Sequence, residues 1–239
     1  MASNCIVIIA NDPENSPDLS ALERYLGKRK SVYLGRSMFF DTLALCLGLA
    51  DIDTVICYHP PASLERYQKM ISLFAREEKD PELKSRIHGL QYYPRTSDSM
   101  IGGIADAFAH MFGLGYRRVL MIGSYCAALT PGLLKAGFLL LEKYDVAIGP
   151  TFGGRYYLFG LSQLLPRIFE GVHWESIDFY VKLGDNLKKA GAKIRELEIS
   201  YEVYTPDELN QLIVDIGCWR NVGDTRTASH AEKFLRTLT

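Results

Sequence analysis

The residue best suited to chemistry in this chain is Arg155, set in the glycine-rich stretch GPTFGGRYYLFG (residues 149–160). A guanidinium grips phosphate oxygens through a planar fork and stabilises a departing diphosphate, which makes Arg155 the candidate catalytic residue. Gly154 and Tyr156 flank it. Tyr156 and Tyr157 alternate across a strand, so one packs inward while the other lines a pocket. Asn11 follows the apolar run CIVIIA, and Ser124 with Tyr125 follows VLMIG, so all three stand at strand ends. Trp174 offers a ring that can stack on an acceptor or a base, or close a lid by packing. Arg95 and the run Lys28-Arg29-Lys30 are weaker candidates for the phosphate contact, since charged loop residues usually just face solvent. His59 and His173 have no partner at ligand spacing and read as local hydrogen-bonding groups. No Ser-His-Asp or Cys-His arrangement is signalled.

These positions need a scaffold, and the hydropathy pattern supplies one. Apolar, β-branched runs alternate with amphipathic helical patterns, which predicts an α/β domain built on a mostly parallel sheet. Strands are expected at Cys5–Ala10, Thr54–Tyr58, Gly89–Tyr93, Val119–Ile122 and Val146–Gly149, with later ones over Gly154–Leu161 and Ala192–Ser200. Helices are expected at Leu34–Ala50, Ser63–Glu77, Ser99–Phe112, Pro131–Lys143, Ile177–Ala190 and Pro206–Val214, with a short one around Ala228–Leu238. Thr130-Pro131 and Thr205-Pro206 read as an N-cap followed by proline at the first helical position. Gly102-Gly103 reads as a loosened helix start or a close backbone approach. No repeat or linker-like tract interrupts residues 1–239, so one domain is expected. Ligands of open α/β sheets bind at the carboxyl ends of the strands, which puts Asn11, Tyr58, Tyr93, Ser124 and the Gly149–Tyr157 hairpin on one rim.

The stretch VLMIGSYCAALTP (119–131) together with the hairpin resembles the bacterial GT-A-like nucleotide-diphospho-sugar transferases, relatives of the guanylyltransferases that build deazaflavin precursors. In that family the first strand ends G-S-D-C-P-x-L-T-P and the hairpin reads G-P-x-x-D-G-G-Y-Y-L-I-G. The frame is kept at Gly123, Ser124, Cys126, Leu129, Thr130, Pro131, Gly149, Pro150, Gly154, Tyr156, Tyr157, Leu158 and Gly160. Phe169–Trp174 (FEGVHW) and Tyr201–Leu209 (YEVYTPDEL) match further family segments. At the start, only Ala10, Pro13 and Leu19 fit the family's basic phosphate loop, whose cations are replaced by Asp12, Glu14 and Asp18. In the segment Met100–Phe108 the family's acid and arginine have become Gly102 and Gly103.

The resemblance implies a GT-A-like fold and a nucleotide or nucleotide-sugar donor, bound by Asn11, Ser124, Tyr125, Gly154, Tyr156, Trp174 and Tyr204. It also implies a metal that this chain is poorly equipped to hold. The family's acids are Tyr125, Gly153 and Tyr204 here, and a phenol, titrating near 10, is no hard anionic ligand at neutral pH. Asp12, Asp98 and Glu202 remain nearby. Glu202, at the first aspartate of the closing motif, leaves room for a weak magnesium or manganese site. The expected function is a nucleotidyl- or glycosyltransferase-like activity with reduced or absent metal dependence. The alternative is an inactive family member acting as a binding or scaffolding protein.

Composition narrows the partners. With 48% hydrophobic and 23% charged residues and a formal net charge of −1, the chain has the balance of a soluble globular protein. It shows no basic stripe for nucleic acid or an anionic membrane. The apolar run at the N-terminus is too short for a signal peptide. No apolar stretch reaches the roughly 18 residues of a membrane span. Five cysteines without a C-x-x-C pair read as buried thiols of a reducing compartment, and the cytoplasm is expected. Fourteen tyrosines and eleven phenylalanines leave room for a homodimer face.

Overall fold

Every side chain from Cys5 to Ile8 is fully buried, so the first strand reads as a continuous apolar run because helices cover both of its faces. The computed structural model describes residues 3–12, 14–174, 176 and 178–238. Pro13 and Ile177, used in the expectations above, lie outside the described residues. In chain order the elements are β1 (Asn4–Asn11), α1 (Ser20–Leu26), α2 (Lys28–Leu47), β2 (Ile52–His59), α3 (Leu64–Glu77), α4 (Pro81–His88), β3 (Gln91–Pro94), α5 (Met100–Gly113) and β4 (Arg118–Gly123). They continue with α6 (Pro131–Leu140), β5 (Val146–Pro150), β6 (Tyr156–Leu161), α7 (Phe179–Lys189), β7 (Ile194–Glu196), α8 (Pro206–Asn221) and α9 (Ser229–Leu235).

The seven strands form one sheet in the order β3-β2-β1-β4-β6-β5-β7. β6 runs antiparallel to both β4 and β5, and the remaining pairs are parallel. Alternation along β1 sends Ile6 and Ile8 to a face packed by Phe40, Phe74 and Phe138, from α2, α3 and α6. Cys5 and Val7 go to the other face, against Phe108 of α5 and Phe179 of α7. A third cluster, away from the sheet, joins Leu22, Leu34, Leu209 and Ala231 and so binds α1, α2, α8 and α9 together. This is the GT-A-like α/β architecture that the sequence predicts.

Local side-chain caps open α4, α5, α6 and α8, from Asp80, Ser99, Thr130 and Thr205. The Thr130 hydroxyl accepts from the Leu133 N–H, and Thr205 forms a reciprocal capping box with Glu208, each satisfying orphan amides ahead of a proline. Several expectations are corrected. Lys28-Arg29-Lys30 opens α2, separated from the unanticipated α1 by Gly27 at φ 83°. α4 was also unanticipated, and Gly89 caps it, so β3 begins at Gln91. α6 stops at Leu140. α8 continues through the polar stretch to Asn221, because Leu209, Leu212 and Ile216 alone form its buried stripe. The strand expected over Ala192–Ser200 shrinks to Ile194–Glu196 at the sheet edge, plus a single bridge between Thr151 and Ser200. Among the described residues no helix is long and apolar enough to cross a membrane.

Candidate active site

The carboxyl ends of β1 and β4 open into a cleft walled by the start of α5 and by the β5–β6 hairpin. Its inner chamber, about 300 Å³, lies over Gly123 and is bounded by Met100 and Ile104 on one side and by Tyr156 and Trp174 on the other. Its outer part, about 680 Å³, is more polar and reaches His59, Arg95, Asp98 and Ser99. Asn11, Asp18, Arg155 and Trp174 border both parts, so the two form one continuous cleft.

Six of the sequence-predicted residues meet here: Asn11, Ser124, Arg155, Tyr156, Trp174 and Tyr204 all line the inner chamber. Arg155 is exposed, with its guanidinium 5.6 Å from the centre of the Trp174 ring. Trp174 in turn meets Tyr156 edge-on at 5.4 Å and Phe179 at 5.2 Å. That stack fixes one wall and gives the cation a face to rest on. The expected division between the two tyrosines does not hold, because both are buried and both line the chamber: Tyr156 also packs against Phe159 and Phe179, and the Tyr157 hydroxyl donates to the Glu198 carbonyl at 2.9 Å.

Tyr125 and Gly154 do not line the cleft. Past Gly123 the chain turns away from the sheet, and Tyr125, 3% exposed, enters the apolar cluster formed with Leu19, Leu34 and Met38. It still touches Tyr204, edge-on at 5.8 Å, so the two positions that carry family acids are neighbours. Burial pushes both phenols upward in pKa, which keeps them neutral. Gly154 sits at φ +72° with open space around its Cα, a turn position that shapes the hairpin.

Two residues matter more here than their sequence context indicated. Arg95, expected on the surface, is 3% exposed and lines the outer cleft. It donates to the Asn11 side-chain oxygen at 2.5 Å and lies 3.2 Å from the Met100 sulfur. No ion pair reaches it among the described residues, and its Nε has no hydrogen-bond partner. Desolvation holds its pKa below the usual arginine value, the signature of a cation kept out of water. Gly103 makes this placement possible, since a Cβ there would fall 2.1 Å from Arg95 Cδ. Asn11 relays the contact by donating to Asp18 at 2.6 Å. A glycine pair inside a helix demands a reason, and this was the available signal.

Glu202 is the second. It is 5% exposed, lines the inner chamber and lies against Gly123. Its Oε1 accepts from the Tyr204 hydroxyl at 2.9 Å and the Cys126 thiol at 3.5 Å. Burial pushes its carboxyl up to about 7, against the lowering effect of those two donors.

The matched family model, described as "Uncharacterized protein conserved in bacteria (DUF2064)", covers residues 42–176. That span exceeds half of the chain and includes β4, the hairpin and Trp174. The chain belongs to this family. Within the DUF2064 frame, Arg95, Arg155 and Trp174 fall inside the matched region, whereas Asn11, Glu202 and Tyr204 lie outside it. A solved structure described as a "putative nucleotide-diphospho-sugar transferase" from Desulfovibrio desulfuricans G20 superposes with a TM-score of 0.82 at 26% identity, covering 99% of this chain and 95% of that one. A cytidylyltransferase from Leptospira borgpetersenii matches at a TM-score of 0.56 and 10% identity, over 99% and 95% of the two chains. The 4-diphosphocytidyl-2C-methyl-D-erythritol synthase of Anaerococcus prevotii gives 0.54 and 10%, over 90% and 99%. The last two share the fold. No curated protein matches the sequence.

The donor set of this DUF2064 member does not fit a catalytic divalent ion. Tyr204 donates its hydroxyl to Glu202, Tyr125 is withdrawn into an apolar cluster, and Asp12 is engaged in a forked ion pair with Arg66. Among the described residues no three His, Cys, Asp or Glu side chains are grouped to share an ion.

Proposed function

We propose that this protein binds a nucleoside diphosphate or its sugar conjugate in the cleft at the ends of β1 and β4, and acts as a metal-independent transferase. The observation that carries this reading is Arg95, a buried guanidinium at the cleft with no ionic partner among the described residues. Leaving a charge so placed is costly unless an anion completes it. Arg155, on the opposite wall, supplies the second positive charge. Two guanidinium groups give a diphosphate what a metal would otherwise give: neutralisation and a fixed orientation as charge develops on the leaving oxygens. The 26% identical structural relative, described as a nucleotide-diphospho-sugar transferase of provisional status, supports the same ligand class.

Calorimetry with UDP, GDP, CDP and ADP, each with EDTA or with magnesium, tests the binding half. One of them should bind with equal affinity in both conditions. Loss of binding in EDTA would return the chemistry to a metal, and no binding of any at millimolar concentration would remove the reading. Release of the free nucleotide from the matching sugar conjugate tests turnover.

A further inference from the structure

The inner chamber differs from the outer cleft in its chemistry. Its walls are apolar or aromatic: Ile9, Met100, Ile104, Met121, Tyr156 and Trp174. Its polar groups lean to the acidic side, with the carboxyls of Asp18 and Glu202 lining it and Arg155 the sole guanidinium or ammonium group there among the described residues. Two hydrogen-bonding atoms are left over. The Tyr156 hydroxyl is buried without a partner, in a residue only 6% exposed, and it lies near enough to Glu202 for that carboxyl's charge to raise the phenol's pKa. On Glu202, Oε1 takes both protein donors and Oε2 takes none among the described residues. A buried donor without a partner is costly unless a ligand meets it, and Glu202 Oε2 offers the same chamber an acceptor that no side chain or backbone group among the described residues takes.

Resting on the diphosphate reading above, we infer that the inner chamber takes an uncharged, hydroxyl-bearing group such as a neutral sugar ring, with Glu202 Oε2 accepting from one hydroxyl, Tyr156 donating to another oxygen, and anionic groups excluded. Apolar walls suit the C–H faces of a pyranose, and the rings of Tyr156 and Trp174 provide a flat surface of that kind. A carboxylate or a second phosphate in the chamber would face Asp18, and above about pH 7 the ionised Glu202 as well, where like charges in a dry site repel strongly. The acids therefore act against charged sugars as well as in favour of neutral ones.

The test uses the full chain and whichever nucleoside diphosphate binds, compared by calorimetry with its neutral hexose conjugate and with its hexuronate conjugate (for uridine: UDP, UDP-glucose and UDP-glucuronate). The hexose conjugate is expected to bind at least about tenfold tighter than the bare diphosphate, and the hexuronate no tighter than the bare diphosphate. Tyr156→Phe and Glu202→Gln should each lower affinity for the hexose conjugate by roughly 5- to 30-fold more than affinity for the bare diphosphate, the effect of one buried hydrogen bond. Glu202→Gln should also narrow the gap between hexose and hexuronate. If the diphosphate binds but hexose adds nothing, or the hexuronate binds as well as the hexose, the inference is overturned and the diphosphate reading stands. If no nucleotide binds at all, both fall together.

Discussion

Gly123 and Glu202 occupy what would be one volume: a methyl group on Gly123 would sit 1.7 Å from Glu202 Oε1. The strand end must be glycine for the buried carboxyl to lie where it does. Gly123→Ala is expected to destabilise the fold by about 1–3 kcal/mol, the usual cost of forcing atoms into a filled interior. Truncating the partner should relieve it, so Gly123→Ala/Glu202→Ala should lose well less than the sum of the two single losses. Denaturant melts of the four proteins give the coupling. Additive losses would mean that Glu202 does not rest against this strand end.

Arg95 predicts opposite signs for stability and for binding. Arg95→Leu removes a cation held out of water without an ionic partner, so the fold should be unchanged or more stable. Binding of a nucleoside diphosphate should weaken by about 1.5–3 kcal/mol, the range for hydrogen bonds to charged groups. Gly103→Ala should reproduce the binding loss by pushing on the Arg95 stem, with its Cβ 2.1 Å from Cδ, despite the better helix propensity of alanine. Thermal melts and calorimetry on the two variants check this. An Arg95→Leu protein that melts early yet binds normally would make Arg95 a packing residue.

How far the sequence reveals this site depends on the range of the interactions involved. The strands are legible because burial on both faces writes them as unbroken apolar runs. The starts of α6 and α8 are legible because Thr-Pro satisfies the first amides locally. Arg155 and Trp174 are legible as neighbours on the cleft because the motifs that hold them are contiguous. Arg95 and Glu202 are not, since what buries each is a glycine elsewhere in the chain, and a charged residue read alone looks solvated. Tyr125 was expected at the rim because Ser124 beside it is there. Consecutive residues leaving a strand end diverge, and the cluster between α1, α2 and α8 supplied a better place for the ring. Lys28-Arg29-Lys30 was read as loop because its charges hide the stripe, Leu34 and Met38, that docks α2 only further on.

A second buried acid, invisible in the sequence for the same reason, ties down the C-terminal helix. Asp41 in α2 accepts from the backbone N–H groups of His230 and Ala231, both at 2.8 Å, and so caps α9 from across the fold. Asp41→Ala would leave two amides unpaired at a covered helix start, at a cost of about 1–3 kcal/mol. The loss should be local, because α9 packs chiefly on α2. Hydrogen exchange is expected to speed up over residues 229–235 while β1 and β4 keep their protection. A uniform loss of protection across the sheet would show that α9 is part of the global unfolding unit instead.

The pH dependence of stability carries the signature of Glu202. Its carboxyl is pushed from 4.5 up to about 7, mainly by burial, so the folded protein prefers it protonated. The unfolded chain ionises it near 4.5. Between those values the unfolded state gives up its proton and the folded state does not, so stability is fullest below about pH 4.5 and falls as pH rises through 7. Each unit is worth about 1.4 kcal/mol, which makes the total roughly 3 kcal/mol by pH 8. Asp41, raised to about 7 by its own burial, contributes to the same slope in the native protein, so the native curve alone is ambiguous. Glu202→Gln removes one contribution and keeps an oxygen for the Tyr204 hydroxyl. The variant and the native protein should therefore be equally stable near pH 4, with the variant gaining until it leads by about 3 kcal/mol at pH 8. Denaturant melts across that range read the difference directly. Parallel curves would mean that Glu202 is already ionised in the fold, and a gap that opens towards acid would mean that its charged form is the one the site holds.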